Sequence, residues 1–399
     1  MLRDRSLLAI SLAVGTSFIG VGMVLPVRIL YAQAHGASLA IIGAMASAFL
    51  LSSFLCQYPV GWLADLWGRK WVMAVGLAAQ AVISVLYLVF LDPIAFVVLR
   101  FLEGAVFAAT MPAARALVAD IVPDERRGEA YGIFGAFMNA GFLFGPALGG
   151  LFAATGYTSA FIGSCVFRVL ALAIVLTLVP EGRRHPEARA RARAVPRRAL
   201  FSRALIGTYL LVFGDSLYFG FELTLMPLWL RHHLGATVAL IGLGYAVWAL
   251  PNMIAAPIGG RLADRRRRSG IIIGLGLAQV AMYVAYGSLT WWVPVFVVFG
   301  VHGLVYALMA PAVDSTLAAA SPEDARARAQ GMYNGIGMIG AFLAANTLSI
   351  LYGINFRLPL FALAVGFGLC AVTGGTLIRF SESEVQAPVD RGLSAAGQG

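Results

Sequence analysis

Twelve stretches of this chain are each long and apolar enough to cross a bilayer, which limits the possible folds before any motif is considered. A spanning helix needs about 20 mostly apolar residues. Such windows fall at 6–30, 40–63, 71–91, 94–118, 129–154, 159–180, 204–230, 237–260, 271–290, 293–318, 331–353 and 356–379. In hydrocarbon every backbone polar group must find its partner within the protein, so runs of this length imply packed helices. Composition agrees: of 399 residues, 60% are hydrophobic and 12% charged, against about 45–50% and 25% in soluble domains. The first run follows Arg3 and Arg5 and ends near Ala32-Gln33-Ala34, a small-x-small pattern like a cleavage site. It is longer than a signal-peptide core of about 7–15 residues, so it reads as an uncleaved first span.

The net charge is +10. The arginines lie in short loops between spans and not on an aromatic-interleaved surface, which argues against nucleic acid as a partner. Alternate loops carry Arg69-Lys70, Arg126-Arg127, the segment Glu181–Arg203, Arg265 to Arg268, and Arg326 with Arg328; the intervening loops carry little beyond Arg28, Arg231 and Arg357 at helix ends. The positive-inside rule then places both termini and the central loop in the cytoplasm. Four regions are expected: a six-helix bundle at 1–180, an arginine-rich cytoplasmic linker at 181–203, a second six-helix bundle at 204–380, and a disordered cytoplasmic tail at 381–399. Cys56, Cys165 and Cys370 each lie inside an apolar run, far from one another and from any histidine cluster, so neither disulfides nor a metal site is expected.

The two halves repeat one another. At a constant shift of 199 residues, Gly36-Ala37 matches Gly235-Ala236, Ile42-Gly43 matches Ile241-Gly242, and Leu63-Ala64-Asp65 matches Leu262-Ala263-Asp264. Gly104, Pro112 and Arg127 match Gly303, Pro311 and Arg326 in the same register. The fold class is therefore an all-α polytopic membrane protein, with twelve transmembrane helices in two six-helix bundles related by a pseudo-two-fold axis. In duplicated transporters of this kind the site lies near the midplane between the repeats.

Between the second and third spans lies Gly61-Trp62-Leu63-Ala64-Asp65-Leu66-Trp67-Gly68-Arg69-Lys70. This turn resembles the loop 2–3 signature of the major facilitator superfamily at Gly61, Leu63, Asp65, Gly68, Arg69 and Lys70, and the resemblance extends over the whole chain. The second copy, ending at Asp264, has Arg267 where the first has Gly68, which marks it as looser. The resemblance implies a gating latch in which Asp65 caps the eleventh helix when the transporter faces outward. A helix N-terminus carries unpaired N–H groups and about half a positive charge, which suits such a cap. Arg69 and Lys70 would pair with Asp120, Asp124 or Glu125.

In the fifth span, Gly141, Gly145, Pro146, Gly149 and Gly150 form a G-x-x-x-G-P-x-x-G-G element resembling that of proton-coupled antiporters in this superfamily. Gly20 to Pro26 in the first span resemble the twelve-helix drug:proton antiporters, although that span lacks an acid. Small residues four apart let helices approach closely, so the fifth-span element also reads as a packing seam.

Ionisable residues inside spans are costly and point to function. Arg100 and Glu103 are three apart in the fourth span and share a helix face. Protonating Glu103 would free Arg100, a coupling device; a static pair that fixes packing is the alternative. The repeat sets Glu103 opposite His302, suggesting an asymmetric proton site. Asp215 and Glu222 in the seventh span are two turns apart, and without a counter-charge they must be protonated or hydrated. Arg168 is expected to pair with one of them or to bind an anionic group. Further cavity candidates are Tyr31, Gln57, Asn139, Trp248, Asn252, Tyr306 and Asn334.

No nucleotide-binding loop, hydrolase elbow or metal-spaced cluster is present in the sequence, so neither an enzyme nor a cofactor is expected. The reading is a monomeric secondary transporter of a bacterial inner membrane, working by alternating access. Its partners are protons, lipid and a small molecule, and its work is proton-coupled efflux of small amphipathic or hydrophobic compounds. An importer of a sugar, metabolite or organic ion on the same frame is the first alternative. A non-transporting receptor or scaffold is the second, against which the buried charges speak.

Overall fold

A computed structural model describes residues 4–122, 126–181, 200–265, 267–321 and 326–396; the side chain of Asp65, Gly61, and the positions of Asp124 and Glu125 lie outside the described residues. The elements are α1 (Arg5–Ala34), α2 (Leu39–Trp67), α3 (Arg69–Val89), α4 (Pro93–Ile121), α5 (Arg127–Ala153), α6 (Tyr157–Leu178), α7 (Arg203–Thr224), α8 (Met226–His232), α9 (Val238–Arg265), α10 (Arg268–Ser288), α11 (Trp292–Ala320), α12 (Arg326–Ile354) and α13 (Leu358–Ala396). All but α8 are long and apolar enough to span a membrane, giving twelve spans among the described residues.

Local chemistry sets the ends of these helices. Asp4 caps α1 by accepting from the Ser6 and Leu7 amides at 3.0 and 3.2 Å. Asp92 does the same for α4, which starts on Pro93, where a missing N–H costs nothing. Gly68 joins α2 directly to α3 at φ +97°, a conformation that favours glycine.

Two expectations change. The seventh span does not run unbroken from 204 to 230. It ends at Thr224, and the short α8 follows. Pro227 has no N–H to donate to the carbonyl four residues back, and its ring clashes there. The last helix continues past 380 as far as Ala396. Glu382 accepts from the Ser269 amide and hydroxyl, and Glu384 pairs with Arg203, so the start of the tail is tied to α10 and α7.

The repeat is visible in the packing. Gly36 and Gly235 both adopt positive φ, +88° and +70°. Gly104 sits against the carbonyl of Phe49 and Gly303 against that of Trp248, the equivalent residue 199 positions on. Arg69 donates to the Ala116 carbonyl at 2.9 Å, and Arg268 to the Ser315 carbonyl at 3.3 Å, again equivalent positions. The second turn therefore keeps one anchor of the first despite its altered sequence.

Among the described residues the halves touch at one end. At the end away from the termini, α5 meets α9 and α2 meets α12. A Cβ on Gly150 would lie 2.7 Å from the Val238 carbonyl, one on Gly43 3.1 Å from that of Ala345, and one on Gly242 would overlap that of Pro146. Asn346 donates to Ser47 at 2.7 Å, and His232 lies 2.7 Å from Gln33. One apolar core draws on both halves there, with Ile42, Phe161, Trp229 and Ile241 among its members, and it runs on through the C-terminal half to Ala263, Ile272 and Ile378. At the end bearing the termini each half also has a smaller core of its own. One contains Leu7, Val72, Leu117 and Val175; the other contains Leu205, Tyr209 and Leu317. There the space beside Gly132, Gly135, Gly260, Gly331 and Gly335 is open.

Replacing Gly242 with valine should force the touching ends apart. In a background lacking Cys56, Cys165 and Cys370, a cysteine at Ser47 is expected to label with a soluble maleimide several-fold faster when Gly242→Val is added. An unchanged labelling rate would mean that the glycine contact does not hold this end shut.

Candidate functional site

A cavity of about 400 Å³ lies between the halves, lined by residues of α1 to α7 and of α12. Its charged side chains all come from the N-terminal half: Arg28 of α1, Arg100 and Glu103 of α4, and Arg168 of α6. Each is at most 6% exposed.

Glu103 is the hub. Its Oε1 accepts from Arg28 at 3.1 Å and from Arg168 at 3.4 Å, and its Oε2 accepts from Arg100 at 2.9 Å. Arg168 also donates to the Gln80 carbonyl at 2.7 Å and to the Ser84 hydroxyl at 2.9 Å. The Arg100 guanidinium lies over the Phe49 ring at 4.1 Å, and Arg28 stands 5.8 Å from the Tyr87 ring. The carboxylate thus ties α1, α4 and α6 together inside one half.

The Arg100–Glu103 pair forms as its spacing implies. Two expectations about its neighbours do not hold. Arg168 pairs with Glu103, not with Asp215 or Glu222, because α6 packs against α1 and α3. Arg28 is no helix-end charge: α1 continues to Ala34, so Arg28 lies more than a turn inside it, buried on Glu103. Sequence reasoning missed it because the apolar window was closed at residue 30. Treating the whole of 5–34 as one helix would have flagged an arginine within a span.

His302 does not join Glu103. It is buried in the C-terminal half, 3.1 Å from the Tyr286 hydroxyl and ringed by Tyr218, Tyr283 and Trp248. Asp215 accepts from Gln279 at 3.5 Å. Glu222 has no hydrogen bond or ion pair among the described residues, and neither acid belongs to the cavity wall. The α7 side chains that do line it are Val212, Ser216, Phe219 and Leu223. Asp314 of α11 is exposed, a further acid within a span of this half that sequence reasoning passed over.

Of the other cavity candidates, Gln57 and Asn334 line the wall with Arg168. Tyr31 does not. It is 5% exposed, donates to the Tyr87 carbonyl at 3.1 Å and packs on Phe96 and Phe161. Asn252 donates to the Gly303 carbonyl, Trp248 packs on Tyr306 with ring centres 5.6 Å apart, and Asn139 is exposed off the cavity wall.

In the α2–α3 turn Arg69 pairs with Asp120, and Lys70 donates to the Leu176 carbonyl at 3.1 Å. Asp264 is exposed. On α5, Gly141 and Gly145 sit against α1 at Phe18 and Ile19, Gly149 against Met23, and Pro146 beside Gly22. Gly150 faces the other way, onto α9 across the boundary between halves. One helix thus links a tight seam within its half to the contact between halves.

Removing Glu103 would leave three buried guanidiniums without their carboxylate, whereas removing Arg28 leaves Glu103 two partners. Breaking a buried pair typically costs about 3–5 kcal/mol. Glu103→Leu is expected to lower the apparent melting temperature in detergent clearly more than Arg28→Leu. Equal losses would deny the carboxylate its place as hub.

The family model described as Major Facilitator Superfamily matches residues 10–225 and 208–395. An uncharacterized MFS-type transporter of Methanocaldococcus jannaschii is 32% identical over 150 residues, 38% of this chain and 39% of that protein. The quinolone resistance protein NorA of Staphylococcus aureus is 28% identical over 164 residues, 41% of this chain and 42% of NorA. The matched stretches therefore span about two fifths of these relatives' lengths. Among solved structures, a bacterial homolog of the human lysosomal transporter Spinster, inward-facing and unoccupied, superposes with a TM-score of 0.76 at 16% identity, covering 94% of this chain and 97% of that one. A D-xylose-proton symporter gives 0.73 at 16% identity, covering 93% and 96%. At such identities the likeness is one of fold.

Proposed function

The chain belongs to the major facilitator superfamily, and on that premise we propose that it is a secondary transporter exporting small amphipathic or hydrophobic compounds in exchange for protons. The observation that carries the reading is the cavity between halves that touch, among the described residues, at one end, with an ion-paired carboxylate in its wall. Such a frame can rock about a central site, exposing it first to one side and then to the other.

Glu103 is the first candidate for the proton. Protonation would remove the charge that holds three arginines and release α1, α4 and α6 from one another. Glu222 and Asp215 are the second. They lie two turns apart on α7, about 10 Å along the axis, and Glu222 has no cationic partner among the described residues. An isolated carboxylate in a span is held at large cost while charged, so proton uptake there would follow the position of α7. Export is favoured by the α5 element, by its seam against α1, and by the partial similarity to NorA. The basic loops favour a plasma membrane with the termini in the cytoplasm, so the parted end would open inward. In that state a latch from Asp65 to α12 would be disengaged.

In proteoliposomes with an imposed pH gradient and a panel of amphipathic compounds, substrate-dependent proton movement is expected. Glu103→Gln and Glu222→Gln should each lose at least tenfold of the gradient-driven flux. Flux indifferent to the gradient and to both variants would end the coupling proposal. Asp65→Asn should insert normally yet transport poorly, because the state open to the other side loses its latch; full transport by that variant would count against the latch.

A further inference from the structure

The cavity wall carries an unbalanced charge. Three guanidiniums, Arg28, Arg100 and Arg168, face one carboxylate, Glu103, and these are its charged lining residues among those described. Arg28 Nε and Arg168 Nε are buried with no hydrogen-bond partner. The wall supplied by α7 is neutral: Val212, Ser216, Phe219 and Leu223. The positive surplus is therefore not answered from across the cavity. Buried charge inside a span is costly, and it persists where it meets a partner or a substrate pathway.

Beside this cavity runs a second space, a groove of about 850 Å³ between α2 and α12. Its wall is almost wholly apolar, built from side chains such as Leu51, Phe54, Met332, Ile336 and Ile339, with Arg328 the charged residue among its described lining. Leu50 and Met338 belong to the walls of both spaces, so the groove adjoins the arginine cavity. Several of its side chains face outward, Phe54 and Ile339 being 57% exposed. The groove is therefore open to a hydrocarbon chain. Neither the groove nor the arginine surplus is required by a proton cycle.

We propose that the transported molecules are anionic amphiphiles. Their acidic group, a carboxylate or phosphate, is held by Arg28, Arg100 and Arg168, and their alkyl chain lies in the α2–α12 groove. This names a substrate class for the transport site above and rests on that reading. Guanidinium forks suit carboxylate and phosphate oxygens and are less strongly hydrated than ammonium groups, so arginine fits a largely dry site. A cationic head would meet the surplus as a like charge. A neutral molecule would leave it unanswered. Free phosphate would satisfy the arginines and leave the apolar groove empty.

The test is equilibrium binding to the full chain in lipid nanodiscs by titration calorimetry, with empty nanodiscs subtracted. The probes share one chain length: octanoate, octyl phosphate, octanol and octyltrimethylammonium, with inorganic phosphate as the chain-free anion. Octanoate and octyl phosphate are expected to bind at least tenfold tighter than octanol, octyltrimethylammonium and inorganic phosphate. Arg28→Gln should weaken both anions about tenfold and leave octanol unchanged, and Arg28→Lys should recover part of the loss. Glu103 keeps two arginines in these variants, so the fold is expected to survive, and thermal unfolding checks that. Ile339→Asn should weaken octyl phosphate but not inorganic phosphate. Octyltrimethylammonium binding as tightly as octanoate, or anion binding indifferent to Arg28→Gln, would overturn the acidic-group assignment. Inorganic phosphate matching octyl phosphate would overturn the alkyl-chain assignment. No gradient is imposed, so selective binding with gradient-independent flux would sink only proton coupling. Driven flux of cations would sink only this inference.

Discussion

A single carboxylate organises the N-terminal half. Glu103 accepts from arginines on α1, α4 and α6, and one of those arginines also reaches back to α3 through the Gln80 carbonyl and Ser84. Four helices meet on one charge cluster at the depth of the cavity. Among helices in lipid there is little hydrophobic drive, because hydrocarbon is as apolar as leucine. Packing and polar bonds must then hold the bundle, and a hub shared by three cations would, on the proposed cycle, couple the positions of several helices to one proton. That coupling is why the cluster serves both the stability of the half and the proposed cycle.

The charges are asymmetric on a frame that is symmetric. Glycines, the helix-start arginines Arg69 and Arg268, and the carbonyls they meet repeat at a shift of 199 residues. The cavity charges do not: Arg28, Arg100, Glu103 and Arg168 correspond to Pro227, Phe299, His302 and Phe367. Asp215 and Glu222 correspond to Thr16 and Met23. Backbone geometry has been kept where helices touch, and ionisable groups have diverged where they surround space. The result is a basic wall in one half and an acidic interior in the other, so the halves would respond differently to the same proton or substrate.

The spans, the two-fold repeat and the pairing of Arg100 with Glu103 could be read from sequence because each depends on short-range spacing or self-similarity. What was misread depends on long-range contact. Arg28 and Arg168 are 75 and 65 residues from Glu103, and nothing in their local pattern names their partner. His302 followed the repeat into the equivalent place, but its surroundings there are tyrosines, which the register alone does not convey. The break at Leu225 was readable in principle from Pro227. It was overlooked because the apolar run continues through it, and hydropathy is blind to a missing N–H. The tail beyond residue 380 looked unstructured by composition, yet two glutamates tie its start to α10 and α7.

The contacts within and between halves differ in kind, and the difference bears on motion. Within the N-terminal half, long charged side chains interlock around Glu103, and the α5 glycines bring α5 onto α1. Across the boundary, the meeting surfaces are glycine-marked stretches, Gly43 of α2 against α12 and Gly150 with Gly242, joined by the short polar contacts of Asn346 with Ser47 and His232 with Gln33. A smooth surface of this kind packs closely while shut but offers few interdigitated side chains to drag free. Each half can then move as a body while its own hub stays intact. In the proposed motion the part of the apolar core shared at the touching end would separate, and the faces that stand apart at the other end would come together. On the proposed cycle, closure at one end would offset opening at the other, and a change of charge at Glu103 or of cavity occupancy would choose between the two states.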